Sequence, residues 1–236
     1  MTVQNILHID ASARGGRSGT DARGSHTRRL THRFIQRWTG SRPGDLVTYR
    51  DIGRVPPSPV SGDWIAAAFT PPERRDDAAR DRLTESDTLV AELIRADLVV
   101  IGAPMYNFGV PAQLKAWIDN VVRVGLTFGF DRSRKGDPYW PMLEPGKRLV
   151  ILASRGDYGY DAGGRLEAMN LVERGIAVPM GYLGLTEAHS VAIEYDEFAD
   201  ERLAASIHDA EIGVDKLVDR LVAETEDAIA PIYATA

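Results

Sequence analysis

Ser12, Ser25, His26 and Thr27 lie in "DASARGGRSGTDARGSHT", a glycine-rich stretch that gives way to a helical pattern. A helix N-terminus carries unpaired N–H groups and a positive dipole end, so hydroxyls gathered there can complete a phosphate site. An ordinary N-cap at Ser25 explains the same serine equally well. Farther along, Met105, Tyr106, Asn107 and Phe108 stand together in "GAPMYNFGVPAQLKAWIDNVVRVG". An amide set among apolar and aromatic side chains suits a flat ligand with a hydrogen-bonding edge. A third stretch, "SRGDYGYDAGG" from Ser154 through Arg155, Gly156 and Asp157, is rich in glycine and in backbone N–H groups.

Other chemistries lack their residues. With no cysteine there is no disulfide, thiolate nucleophile or cysteine metal site. No G-x-x-x-x-G-K-[ST] is present, which disfavours a nucleoside triphosphatase, and no clean G-x-G-x-x-G appears either. His189 and His208 have no local partners at ligand spacing, so no metal is expected; His8 reads as a strand histidine. A net charge of −6 leaves no electrostatic footprint for nucleic acid. No run of about 18 apolar residues is present, and the N-terminus shows no signal pattern, so no membrane span is expected and a cytoplasmic location is.

The elements that must position these loops are apolar runs alternating with helical patterns. Strands are expected at 3–9, 45–51, 96–103, 147–154 and 187–195, with a helix around 25–39. After Pro111, the residues Leu114, Trp117, Ile118, Val121 and Val122 share one helical face. Proline suits the first helical turn, because its missing N–H has no partner there. Leu83, Val90, Leu93 and Ile94 mark the buried side of an earlier helix, and Leu203, Ile207, Ala210, Val214, Leu217, Val218 and Leu221 that of the last one. Such alternation implies parallel βαβ units in a three-layer α/β/α sandwich. Five strands suit a flavodoxin-like, doubly wound parallel sheet, with ligands at the carboxyl ends of the strands; a Rossmann order stays open. One domain is expected over 1–236, with insertions at about 51–86 and 126–146. Residues 51–72 read as an irregular proline-rich excursion, 126–146 as a long aromatic loop, and "APIYATA" at the C-terminus as a loose tail or a strap on a partner.

In such a sheet the three loops emerge at one edge. A phosphate loop, an amide-and-aromatic loop and a loop of free N–H groups together suit flavin mononucleotide (FMN). The stretches "APMYNFGVPAQLKAWIDNVVRVGLTFGF", "SRGDYGY", "MGYLGLTEAHSVAIE" and the serine–"SHTRRL" opening resemble the FMN-dependent NADH-azoreductases, also called NADH:quinone oxidoreductases. The resemblance implies noncovalent FMN, reduction by NADH or NADPH, and ping-pong transfer of two electrons to a quinone, azo compound or other flat aromatic acceptor. It also implies a homodimer with active sites at its interface. By position it assigns Ser12, Ser25, His26 and Thr27 to the phosphate. Met105 to Phe108 and Ser154 to Asp157 fall to the flavin ring, and Phe130 and Tyr182 to the substrate side. Tyr158 and Tyr160 are conceivable proton donors to the acceptor, a task that solvent can also perform.

Three departures from the family pattern stand out. The loop between Ser12 and Ser25 is longer, leaving Ser18 and Thr20 as a rival phosphate pair. Asp157 replaces a glycine, and a carboxylate near the flavin N1–O2 edge would lower its reduction potential. Tyr139 and Trp140 lie in an enlarged loop, either closing over a substrate or packing beneath it. Two other functions share these features: a specialised biosynthetic flavin reductase, and a flavodoxin-type electron carrier.

Overall fold

The computed structural model describes residues 3–227, so the C-terminal "APIYATA" lies outside the described residues. A five-stranded sheet organises the chain. Its strands are β1 (Asn5–Asp10), β2 (Leu46–Asp51), β3 (Leu98–Pro104), β6 (Arg148–Ser154) and β7 (Glu187–Ile193). They pair in the order β2-β1-β3-β6-β7, all parallel, with Ile6 opposite both Val47 and Leu98. This is the flavodoxin-like order and not the Rossmann one. β3 and β6 are buried along their whole length, as expected of central parallel strands covered on both faces.

Helices α1 (His26–Ser41) and α6 (Glu201–Asp227) cover one face, where Leu30, Phe34 and Trp38 meet Val214, Val218 and Leu221. The other face carries α3 (Asp77–Arg95), α4 (Ala112–Val121) and α5 (Val172–Leu183), with Leu93, Trp117, Ile118, Ile176 and Met180 in its core. Trp117 is therefore core packing. A four-residue repeat aligns Arg29, Arg33 and Arg37 of α1 with Glu211, Asp215 and Asp219 of α6, each pair at 2.7 Å. These pairs are exposed or partly exposed, so solvent screens them and each contributes little to stability.

Three expectations need correction. Residues 62–69 are not irregular: they form α2 (Gly62–Phe69), because the Ser61 hydroxyl caps the helix by accepting from Trp64 N at 3.2 Å and Asp63 sits in the first turn. On α3 the buried stripe is Leu83, Leu89, Val90 and Leu93, while Ile94 is 42% exposed because its position rotates past the sheet. The 126–146 segment is not all loop. β4 (Phe128–Phe130) and β5 (Tyr139–Pro141) pair as an antiparallel hairpin, with Gly129 opposite Trp140. Trp140, itself in β5, lays its ring across Gly129, with the Arg134 guanidinium 4.9 Å from its ring centre.

Candidate functional site

Because the sheet is parallel throughout, the segments after β1, β3, β6 and β7 leave it at one edge. They enclose a cleft of about 180 Å³ lined by Ser12, Ser25, His26, Met105, Tyr106, Ser154 and Gly156, together with Arg14, Asp196 and Glu197. That is smaller than the ~300–1,000 Å³ usual for small-molecule sites.

At one end of the cleft, Ser25 is the N-cap of α1, its hydroxyl accepting from Arg28 N at 3.3 Å. The N–H groups of His26 and Thr27, in the first turn, have no intrahelical acceptor. The lengthened loop folds back on itself through Ser18 N to Ser25 O and Ser25 N to Gly16 O, both at 3.1 Å. The Ser18 hydroxyl bonds His26 Nδ1 at 2.8 Å, so of the two rival serines it is Ser25 that stands at the helix start and lines the cleft. Thr27 is fully buried and its hydroxyl meets Ser25 Oγ at 3.0 Å, which leaves only its N–H for a ligand.

Beneath this loop lies a buried network that the sequence reading did not single out. Arg28 donates to the carbonyls of Ser12 and Arg14, each at 2.9 Å, and pairs with Asp51 through both terminal nitrogens at 2.6 and 2.8 Å. Asp10 accepts from Thr31 at 2.9 Å and Tyr49 at 3.0 Å. Burial pushes the Asp10 carboxyl up, but His8, Thr31 and Arg28 outweigh it and hold the group below the usual range. Burial likewise opposes the Arg28 charge, and Asp51 and Asp10 more than restore it. Gly53 packs against the Ser12 carbonyl so closely that a Cβ would overlap it.

The second loop is a tight turn. Tyr106 and Gly109 exchange backbone hydrogen bonds at 3.0 and 3.1 Å, with Asn107 at φ 48° and Phe108 at φ 69°. Two left-handed central residues are the geometry that glycine and asparagine favour and phenylalanine resists. The Tyr106 hydroxyl accepts from Ala13 N at 3.2 Å, tying this turn to the first loop, while Asn107 and Phe108 are exposed beside the cleft. Phe108→Gly is expected to raise stability by about 1 kcal/mol in urea unfolding. A fall in stability would mean that the ring packs more tightly than its exposure implies.

The third loop separates the remaining expected residues. Ser154 and Gly156 line the cleft, whereas Arg155 is buried and turned away into Asp161 at 2.8 Å, Glu194 at 3.0 Å and Glu173. It fixes the loop and does not offer its guanidinium to the cleft. Asp157 also departs from expectation: its carboxylate pairs with Arg165 and accepts from Tyr158 N at 2.9 Å. The Arg165 hydrogen bond holds it below the ordinary range and sets a positive charge beside it. Tyr158 stacks on Tyr195 with ring centres 4.8 Å apart, and Tyr160 is buried.

Phe130 and Tyr182 stand outside the cleft. Phe130 meets Tyr139 at 4.8 Å, and Tyr182 meets Tyr139 at 6.0 Å and Phe128 at 5.3 Å, in a cluster whose outer rings are exposed.

The sequence reading missed the segment after β7. Asp196 bonds His26 Nε2 at 3.1 Å and lies 3.6 Å from Arg14, and Glu197 lies across Gly156 where a Cβ would stand. The available signal was positional, since a fifth parallel strand must also end at this edge. The His26 hydrogen bond holds the Asp196 carboxyl below its usual range against the opposing effect of burial, and Arg14 adds to it.

Residues 4–213 match the family described as having a Flavodoxin-like fold. The FMN-dependent NADH:quinone oxidoreductase 2 of Colwellia psychrerythraea is 42% identical over 217 residues, covering 92% of this chain and 99% of its own. The FMN-dependent NAD(P)H:quinone oxidoreductase 1 of Pseudomonas aeruginosa is 40% identical over 210 residues, 89% of this chain and 95% of that one. Among solved structures, an FMN-dependent NADH-azoreductase from Bacillus anthracis in complex with FMN superposes with a TM-score of 0.79. That match covers 93% of this chain and all of the other at 15% identity, a likeness of fold.

Proposed function

From the premise that this chain belongs to the flavodoxin-like family of FMN-dependent NADH:quinone oxidoreductases, we propose that it uses FMN to reduce quinones, azo compounds or related flat aromatic acceptors with NADH or NADPH. The observation that carries this reading is the cleft itself. Hydroxyls of Ser12 and Ser25, the imidazole of His26 and the first N–H groups of α1 converge at one end, and Met105 and Tyr106 continue from it along the third strand's loop. These donors fit a phosphate. FMN held by Ser12, Ser25 and His26 would supply two-electron redox chemistry between a reduced dinucleotide and the acceptor.

The chain's own residues bind, orient and shield. Ser12, Ser25 and His26 anchor the phosphate, and the Tyr106–Ala13 hydrogen bond fixes the spacing between that anchor and the ring. The Phe108 and Tyr106 rings offer apolar surface to one side of the ligand. No side chain has to relay a proton, because the open cleft admits solvent to the acceptor.

The small volume of the cleft favours a homodimer in which a second copy closes the site. The exposed rings of Phe130, Tyr139 and Tyr182, together with Val178 on α5, form an apolar face suited to that contact and to an aromatic acceptor. None of the described helices is long and apolar enough to cross a membrane. Cytoplasmic residence follows from the need for reduced dinucleotide.

The test is a visible spectrum of the protein after FMN is added and the excess removed. Retained bands near ~370 and ~450 nm that bleach anaerobically with NADH, and return with a small quinone, are expected. Retained flavin that no reduced dinucleotide bleaches would overturn the reductase reading.

A further inference from the structure

We infer that Asp196 is a specificity-determining residue that weakens the hold of the site on the phosphorylated cofactor, so that FMN is exchangeable. The inference rests on the FMN reading above and goes beyond it. The Asp196 carboxylate engages both nitrogen-bearing side chains lining the phosphate end of the cleft, His26 Nε2 at 3.1 Å and the Arg14 guanidinium at 3.6 Å. A phosphate seated on Ser12, Ser25 and the first turn of α1 would claim the same two donors.

The backbone that carries the carboxylate is fixed. Asp196 N donates to Arg155 O at 3.3 Å, Glu197 N donates to Gly156 O at 3.1 Å, and Tyr195 N donates to Asp157 O at 3.3 Å. Tyr195 at φ 68° and Ala199 at φ 51° set the turn with non-glycine residues in the left-handed region. The third loop is itself locked through Arg155 in its cage of Glu173, Glu194 and Asp161. His26 is held from its other side by Ser18 Oγ at 2.8 Å, so the imidazole cannot rotate to serve the phosphate without giving up Asp196 or Ser18. Phosphate and carboxylate therefore share one imidazole at short range in a half-buried cleft. Like charges a few ångströms apart there cost enough to change affinity by about tenfold.

The effect is confined to the phosphate. Riboflavin, which has the same ring and ribityl chain, has no charge for Asp196 to oppose. Glu197, which lies over Gly156 at the ring end, provides the control position.

The experiment is a titration of flavin fluorescence quenching at low ionic strength, with FMN and riboflavin as the two probes. The proteins are wild type, Asp196→Asn, Asp196→Ala and Glu197→Gln. Both Asp196 variants should bind FMN about tenfold more tightly and release it more slowly, with riboflavin affinity within about twofold of wild type. Glu197→Gln should not produce this FMN-selective gain. If wild type prefers FMN and the Asp196 variants bind it no better, or tighten on both flavins in parallel, the inference is overturned and the cofactor reading stands. If neither wild type nor variants prefer FMN over riboflavin, the phosphate site falls, and the inference with it.

Discussion

Arg28→Met should cost about 3–5 kcal/mol of stability and most of the affinity for FMN. The side chain is 7% exposed, and its guanidinium makes the bidentate pair with Asp51 while lying 3.4 Å from Asp10. Methionine keeps much of the stem but leaves two carboxylates and the Tyr49 hydroxyl facing one another without a cation. Breaking a buried pair from one side is costly because the charge left behind has lost its water and its partner. The same side chain holds the carbonyls of Ser12 and Arg14 in place, so the first loop loses the anchor that aims its N–H groups at the cleft. Urea unfolding measures the stability, and flavin titration measures the affinity. A loss below about 1 kcal/mol would mean that Asp10 and Asp51 take up protons or water without penalty.

The acid limb of the same experiment has a definite sign. Asp10 and Asp51 both titrate below the ordinary carboxylate value in the folded protein, despite burial that pushes each upward. For Asp51 the Arg28 hydrogen bond and charge are the principal opposing causes; for Asp10 they are His8, Thr31 and then Arg28. A depressed folded pKa contributes stability that is fully present above the unfolded value and lost as pH falls through the folded one. Wild-type stability should therefore decline below about pH 4, and Arg28→Met should show a shallower decline because part of that contribution is already gone.

The strands were legible because a buried parallel strand is a continuous apolar run, and β3 and β6 are apolar on both faces. The start of α1 was legible for a related reason: Ser25 before an amphipathic helix marks a cap. α2 was hidden by the prolines at 56, 57 and 59, which dominate the composition before Ser61 restarts the chain. The hairpin was hidden because three-residue strands carry too few alternations to register a period of two. The side-chain directions of Arg155 and Asp157 were not legible, because sequence gives adjacency along the chain and not the direction of a side chain. Their partners, Glu173, Glu194 and Arg165, lie 8 to 39 positions away. Asp196 was missed for the same reason: its link to His26 spans 170 residues, and only the finished sheet brings the two loops together.

Gly129→Ala should lower kcat/KM for a quinone acceptor by about tenfold while leaving FMN affinity within about twofold, at a stability cost of about 1–3 kcal/mol. Gly129 lies opposite Trp140 in the β4–β5 pair, and a Cβ there would fall inside the indole ring. The obstacle is a rigid ring held on its other face by Arg134, so the hairpin must open or Trp140 must leave. Either movement shifts Phe130 and Tyr139, the neighbours of Gly129 and Trp140, and through Tyr139 the contact with Tyr182. The cleft that seats the phosphate belongs to other loops and shares no lining residue with the hairpin, so cofactor binding should be spared. Adding Trp140→Leu to Gly129→Ala makes room for the methyl group and should recover part of both losses. Steady-state turnover with a quinone and flavin titration separate the outcomes. Equal losses in turnover and FMN affinity would mean that the hairpin supports the cofactor. Unchanged turnover would remove Phe130, Tyr139 and Tyr182 from the acceptor's path, because these rings could not be displaced without consequence if a flat substrate lay against them.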